Sequence, residues 1–457
     1  MVIFSYIFYG WWDYRFCLLL FGSSLIDYCI GLALDKTKNS SLRRYLLCIS
    51  LIFNLSLLGF FKYWNFFIDS LNASLTTLGW SFDTITVDII LPVGISFYTF
   101  QTLSYTVDVY RGQLRPASNL INYLCYVSFF PQLVAGPIER ATHFLTQVLN
   151  NRSFIYSLAA DGCRQILWGF FKKMAIADNL APIVERAYSN PNIMSGPQLA
   201  FATFAFAIQV YCDFSAYSDI AIGTAKLFGF DLMRNFAYPY FSQTMAEFWR
   251  RWHISLSTWL RDYVYIPLGG SRVTAVRSYF NVIITFLLSG LWHGASWNFV
   301  AWGGIHGSLI LIEKLWTGKQ TLRVTDTPGG NQLFPRPKVI LRILTTFTFT
   351  CFAWIFFRAK NISDALLIVK NIIKDIFDLS AYKSIKSILE ASELGAKNLL
   401  SLLIIFILIE WLQRRYPHAL NLENNPVYIR WFIYTVLIWI TLFWGTWNTG
   451  QFVYFQF

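Results

Sequence analysis

Long apolar stretches separated by short polar ones run along the whole chain: Phe16–Leu34, Tyr45–Phe61, Val87–Val107, Leu120–Val134, Phe201–Phe228, Tyr279–Ile312, Val339–Phe357, Leu399–Leu412 and Trp431–Trp444. A helix needs about 20 such residues to cross a hydrocarbon core about 30 Å thick, and several stretches approach or exceed that length. The pattern predicts an all-α polytopic membrane protein with about nine to eleven membrane-embedded helices, some short or re-entrant, and one or two passes within Tyr279–Ile312. No period of repetition stands out, so residues 1–457 read as one membrane domain. Met1–Tyr14 has neither a basic leader region nor a small-residue cleavage pattern, and is expected to be a retained hydrophobic lead-in.

Three stretches break the apolar rhythm. Thr317–Lys338, with Gly329, Gly330 and three prolines, predicts an exposed loop, and Asn361–Lys397 predicts an interfacial pair of amphipathic helices. Asp231–Ser278 carries Arg234, Arg250, Arg251, Arg261, Arg272 and Arg277 against Asp231, Glu247 and Asp262, and is rich in aromatic rings. Rings and guanidinium groups both sit well at the headgroup level, so this stretch is expected at the cytoplasmic face. In Leu120–Val134, Pro131 lies within Pro-Gln-Leu-Val-Ala-Gly-Pro, and the helix is expected to break there and at Pro137.

Composition sharpens the picture without changing it. With 55% hydrophobic, 19% aromatic and 14% charged residues, lipid is the solvent for most of the chain. The net charge of +12 is explained by basic cytoplasmic loops, and no nucleic-acid partner is expected. Seven cysteines scattered without C-x-x-C spacing point to small core residues, not to a disulfide framework or a zinc site.

The candidate chemistry sits in the apolar sequence. Asn281–Ile312 contains no Asp, Glu, Lys or Arg but does contain His293. A helix entering at Asn281 would carry His293 about 18 Å inward, near mid-membrane, where a polar group needs a partner or a cavity. Small neighbours, Gly290, Gly294, Ala295 and Ser296, permit close approach of a backbone or a slender substrate. His253 lies in Phe248-Trp-Arg-Arg-Trp-His, beside Arg250 and Arg251, which are expected to depress its proton affinity and to hold phosphate groups. Two histidines at the ends of one cavity suit acyl transfer, one as general base and the other, or nearby Trp and Ser donors such as Trp252, Trp297 and Ser296, holding the oxygen that gains charge. No metal site is expected, because no acidic residue and only His306 accompany His293. Asp213, Tyr217 and Ser218 fall near one helical face and are candidates to line a polar channel, or Asp213 bonds Tyr217 across one turn. Tyr454 near the chain end is a candidate acyl relay or an interfacial anchor.

Four blocks together carry a family resemblance: Phe130-Pro-Gln-Leu-Val-Ala-Gly-Pro-Ile-Glu-Arg140, Tyr211-Cys-Asp-Phe-Ser-Ala-Tyr-Ser-Asp219, Phe248–Arg272 and Leu291-Trp-His-Gly-Ala-Ser-Trp297. From about Tyr9 to Phe457 the chain resembles the membrane-bound O-acyltransferase family, in its bacterial alginate O-acetyltransferase branch. The resemblance implies a ring of helices around a thinned centre, with a central tunnel reached from both faces and the catalytic role at His293. It places His253 at the family's second polar position.

The expected function is an O-acetyltransferase of the bacterial cytoplasmic (inner) membrane. Acetyl-CoA is the donor and no cofactor is bound. Arg250, Arg251 and Arg261 would meet the CoA phosphates, and the acetyl group would cross to an extracytoplasmic, alginate-like polysaccharide through a periplasmic or anchored SGNH-type partner. Peptidoglycan, a cellulose-like polymer and D-alanylation of teichoic acid are alternatives with the same chemistry. A transporter using His293 as proton relay, with Asp213 and Asp219 in the spans, and a non-enzymatic scaffold are alternatives of another class.

Overall fold

A computed structural model describes residues 1–80, 86–317, 327–447 and 452. Among them the chain is helical, without strands. Among the described residues seven helices are long and apolar enough to cross a membrane: Arg15–Lys36, Ser40–Thr77, Gly196–Leu227, Ala275–His293, Pro337–Arg358, Ala396–Gln413 and Val427–Trp444. The protein is a multi-pass, all-α membrane protein. It divides into two compact units, Met1–Ile155 with Ala225–Met233, and Tyr156–Thr224 with Arg234–Phe457.

In the first unit, Val2–Asp13 and Arg15–Lys36 are followed by Ser40–Leu58, which runs through a π-helical turn, Gly59–Tyr63, into Trp64–Thr77. Asn39 caps Ser40–Leu58 by accepting from the Ser41 and Leu42 amides. Three helices are tied together at Asp27, whose carboxylate accepts from Ser50 Oγ, from Asn54 Nδ2 at 2.8 Å and from Thr106 Oγ1 at 3.2 Å. A buried carboxylate away from water needs such donors, and three neighbouring side chains supply them.

The stretch Val87–Val107 is helical only from Ile95 to Tyr110. It starts after Gly94, whose φ of +78° and close approach to the Leu133 carbonyl, 2.6 Å from where a Cβ would stand, require glycine. The break expected at Pro131 is present: Leu120–Ser128 ends, and a four-residue turn, Phe130–Leu133, follows. Gly136 leads on to an extended segment before Ala141–Leu149.

In the second unit, Gly196–Leu227 is 83% buried along its most apolar stretch, against 17% for Val427–Trp444. The first therefore runs through protein and the second faces lipid. Tyr279–Ile312 resolves into two antiparallel helices, Ala275–His293 and Trp297–Thr317, joined by Gly294, Ala295 and Ser296. They cross at glycines: a Cβ on Gly303 would stand 2.1 Å from the Phe286 carbonyl, and one on Gly290 would stand 2.0 Å from that of Phe299. Because the first helix begins at Ala275 and not at Asn281, His293 is its last residue, 18 steps and about 27 Å from its start. The histidine therefore stands at the hairpin turn and not at mid-helix.

A helical segment without an apolar stretch to announce it runs through Tyr156–Phe170, a π turn at Phe171–Ala177 and Asp178–Ser189. The stretch 361–397 contains Ile362–Asp375 and the shorter Ile385–Leu389.

Candidate active site

The second unit brings three histidines together. His293 closes the Ala275–His293 helix, His306 lies three turns into Trp297–Thr317, and His253 joins two short helices, Met245–Arg251 and Ile254–Leu260. The sequence builds this junction firmly. Thr244 Oγ1 caps the helix by accepting from the Glu247 amide at 3.0 Å, and Glu247 accepts from the amide of Gln243, the residue before the cap, at 2.9 Å. Glu313, from the hairpin, accepts from the Met245 amide at 2.7 Å, which places a carboxylate at the helix N-terminus. Arg251 donates to Glu247 one turn back, through Nε at 3.0 Å and through its terminal nitrogen at 2.8 Å.

After Arg251 the chain turns through His253 with φ 44° and ψ 56°, the left-handed region. Histidine is one of the side chains found there more often than most, but the conformation still costs of order 1–3 kcal/mol and must be held by its surroundings.

The turn sets His253 against His293, ring centroids 6.2 Å apart. Their walls are aromatic. Phe214 meets the His253 ring edge-on at 4.6 Å, and Trp292 lies 5.6 Å from it. Trp302 and Phe357 meet the His293 ring at 5.0 and 5.5 Å. On the far side of Trp302, His306 lies 4.8 Å from the indole, and its Nδ1 accepts from Trp249 Nε1 at 3.3 Å. His253 and His306 are fully buried and His293 is 5% exposed. Burial pushes the His253 imidazole far below its ordinary pKa. The arginines expected to do this are not the cause: Arg250 is exposed, and Arg251 is turned inward on Glu247.

The other candidates lie at different distances from this box. Trp252 is fully buried in it, 5.1 Å from Trp354. Ser296 accepts from the Asn298 amide at the hairpin turn, while Trp297 is 57% exposed and points away from the core. Arg261 is exposed and bonded to Asp262 at 2.7 Å. Asp213 takes a salt bridge from Lys173 at 2.8 Å, and the Tyr217 ring stands 5.4 Å from that of Phe452. Ser218 and Asp219 line a small polar cavity of about 20 Å³, the size of one water, together with Lys172, Ser215, Asn235 and Glu410. Tyr454 lies outside the described residues. Among the described residues no group of three or more His, Cys, Asp and Glu side chains has metal-binding geometry.

Sequence reasoning gave no role to several of these groups. Lys172 donates to Ser215 Oγ and to Asp219, both at 2.6 Å, and Tyr211 donates to Glu410 at 2.6 Å. Two adjacent lysines, Lys172 and Lys173, with short apolar flanks on either side were the available signal, since lysine is almost never fully buried without a partner. They sit in a π turn, a distortion that recurs at functional sites. For His306 the signal was its place one turn after Trp302 on the helix that follows His293.

The sequence profile of the membrane-bound O-acyltransferase family matches residues 113–356, more than half of the chain. The chain is 43% identical over 363 residues to a protein of Azotobacter vinelandii described as a probable alginate O-acetylase, covering 79% of this chain and 69% of that one. A protein of Pseudomonas aeruginosa with the same description is 38% identical over 429 residues, 93% of this chain and 77% of the relative. A peptidoglycan O-acetyltransferase of Helicobacter pylori is 37% identical over 399 residues, 82% of this chain and 73% of the relative.

Proposed function

The chain belongs to the membrane-bound O-acyltransferase family, and on that premise we propose that it O-acetylates an extracytoplasmic polysaccharide of the alginate type from the bacterial inner membrane. The observation that carries the reading is the pair of facing imidazoles, His253 and His293, inside an aromatic wall. A neutral imidazole is the base that removal of a hydroxyl proton requires, and an enclosing wall of rings keeps bulk water from competing as acceptor.

Acetyl-CoA is the donor. An acceptor hydroxyl loses its proton to His293 as its oxygen bonds to the thioester carbonyl carbon. The intermediate then collapses, the carbon–sulfur bond breaks, and the proton passes from His293 to the leaving thiolate. His253, or a donor from Trp252 or Ser296, supports the carbonyl oxygen while it carries charge. Arg250 and Arg261, both exposed, are the proposed contacts of the CoA phosphates, Arg261 after release from Asp262. The phosphates of CoA make bilayer crossing prohibitive, so only the acetyl group crosses, and an SGNH-type partner on the far side completes delivery to the glycan.

Similarity to the peptidoglycan O-acetyltransferase favours a second acceptor with the same chemistry. Purified protein in liposomes, given radiolabelled acetyl-CoA and the partner, should label a mannuronate polymer in preference to peptidoglycan fragments. Labelling of peptidoglycan alone would move the reading to that acceptor, and no label in either would remove it.

A further inference from the structure

Two non-glycine residues among the described ones adopt positive φ, Tyr238 at 51° and His253 at 44°. They lie on two segments that face each other. The Ala237 amide donates to the Arg251 carbonyl at 3.0 Å, and the Ile254 amide donates to the Asn235 carbonyl at 2.9 Å, so the backbone bonds bracket Trp252 and His253 on both sides. A left-handed histidine persists only where neighbouring structure fixes it, and the bracket is where that fixing is done.

Asn235 is the centre of the bracket and is fully buried. Its side-chain oxygen accepts from Ser255 Oγ at 2.7 Å and from the Ser255 amide at 3.4 Å, while its Nδ2 donates to Ser218 Oγ at 3.1 Å. Through the backbone and side chain together, it holds both residues that follow His253. Through Ser218 it fixes that turn to the long buried helix, next to Asp219, which Lys172 and Gln165 hold in turn. The same long helix supplies Phe214, the ring against which the His253 imidazole lies. One helix thus sets both the backbone angle and the wall of the histidine.

We propose that Asn235 is a positioning residue for acetyl transfer: it locks the left-handed turn that aims the His253 imidazole at His293. The role rests on the function proposed above. Removing the amide takes away the Asn235 oxygen to which the Ser255 hydroxyl and amide donate and lets the turn relax toward ordinary angles, which swings the imidazole away from its partner.

The test is a double-mutant cycle with Asn235→Ala, His253→Gly and the double variant, reconstituted with acetyl-CoA, acceptor and partner. Asn235→Ala should lower kcat by roughly tenfold to a hundredfold, the scale of a 1 Å misplacement, with KM for acetyl-CoA unchanged. In the His253→Gly background the same change should cost less than about twofold, because no imidazole is left to misplace. Should Asn235→Ala not fold, Ser255→Ala removes one of the bonds and should show a smaller loss with the same dependence on His253. Equal losses in both backgrounds, or no loss in either, would overturn the positioning role while leaving the function intact. Full turnover in His253→Gly itself would also overturn this role while leaving the function standing, whereas absence of turnover in the wild type would remove the function reading.

Discussion

His143 and His253 are the same side chain under opposite instructions. In the first unit, His143 is partly exposed and its Nδ1 lies 2.8 Å from the buried Glu139 carboxylate one turn back, with Asp231 beyond. The hydrogen bond to Glu139 raises its proton affinity. In the second unit His253 is enclosed by Phe214, Trp292 and the His293 ring, and burial lowers its proton affinity. A carboxylate favours the protonated form of one histidine and makes it a clasp, and a wall of rings favours the neutral form of the other. Position in the sequence does not distinguish them; what the fold sets beside each ring does.

The largest expected difference is in turnover. His253→Ala should lower acetyl transfer by about a hundredfold, whereas His143→Ala should stay within about twofold of wild type in the same liposome assay. Comparable losses in both would erase the distinction between a histidine that supports the reacting carbonyl and one that acts as a clasp. Next in size is the hairpin that presents His293. Gly303→Leu would force a side chain into the Phe286 carbonyl, and overpacking of this kind costs about 1–3 kcal/mol. Thermal unfolding in detergent should show a clear fall in Tm, and an unchanged Tm would mean that the helices do not need to cross so closely.

Those two predictions rest on different degrees of legibility. The helices around the site could be read from composition and period: Gly196–Leu227, Pro337–Arg358 and Ala396–Gln413 match the apolar stretches within a few residues. His293 could also be read, because a polar side chain with no charged neighbour stands out in an apolar run. Its location at a turn could not be, since apolar runs do not mark where a hairpin reverses, and the helix began six residues earlier than the charge-free window. Tyr156–Ser189 stayed hidden because Lys172, Lys173 and Asp178 interrupt its hydropathy, and the lysines' partners Asp213 and Asp219 are supplied by a helix some forty residues away. The arginines illustrate the same limit: Arg250 and Arg251 are adjacent in sequence, but only the fold shows that one is exposed and the other is bonded to Glu247.

The pH dependence of stability separates the two histidines further, and in opposite directions. His253 has a folded pKa below its unfolded value near 6.5, so its contribution to stability is present above that value and is lost as pH falls below it. Between about pH 6.5 and 5 the wild type should lose Tm, and His253→Asn, which also tolerates the left-handed turn, should flatten that loss. The smallest effect belongs to His143. Its folded pKa lies above the unfolded value, so its contribution is full below about pH 6.5 and is lost as pH rises through the raised value. Burial raises Glu139 as well, which adds a loss of the same sign as pH rises. His143→Gln should therefore reduce the decline on the alkaline side and leave the acidic side unchanged. Matching slopes for the two variants would mean that their surroundings are not as different as the geometry shows.

The most direct measurement is single-turnover acetyl transfer by His293→Ala, with acetyl-CoA binding followed in parallel by equilibrium dialysis. With His293 as the base, donor binding stays within about threefold of wild type while the transfer rate falls by about 10²- to 10⁴-fold. Transfer at the wild-type rate with the donor bound would contradict the account, because the facing imidazoles would then have no part in the chemistry.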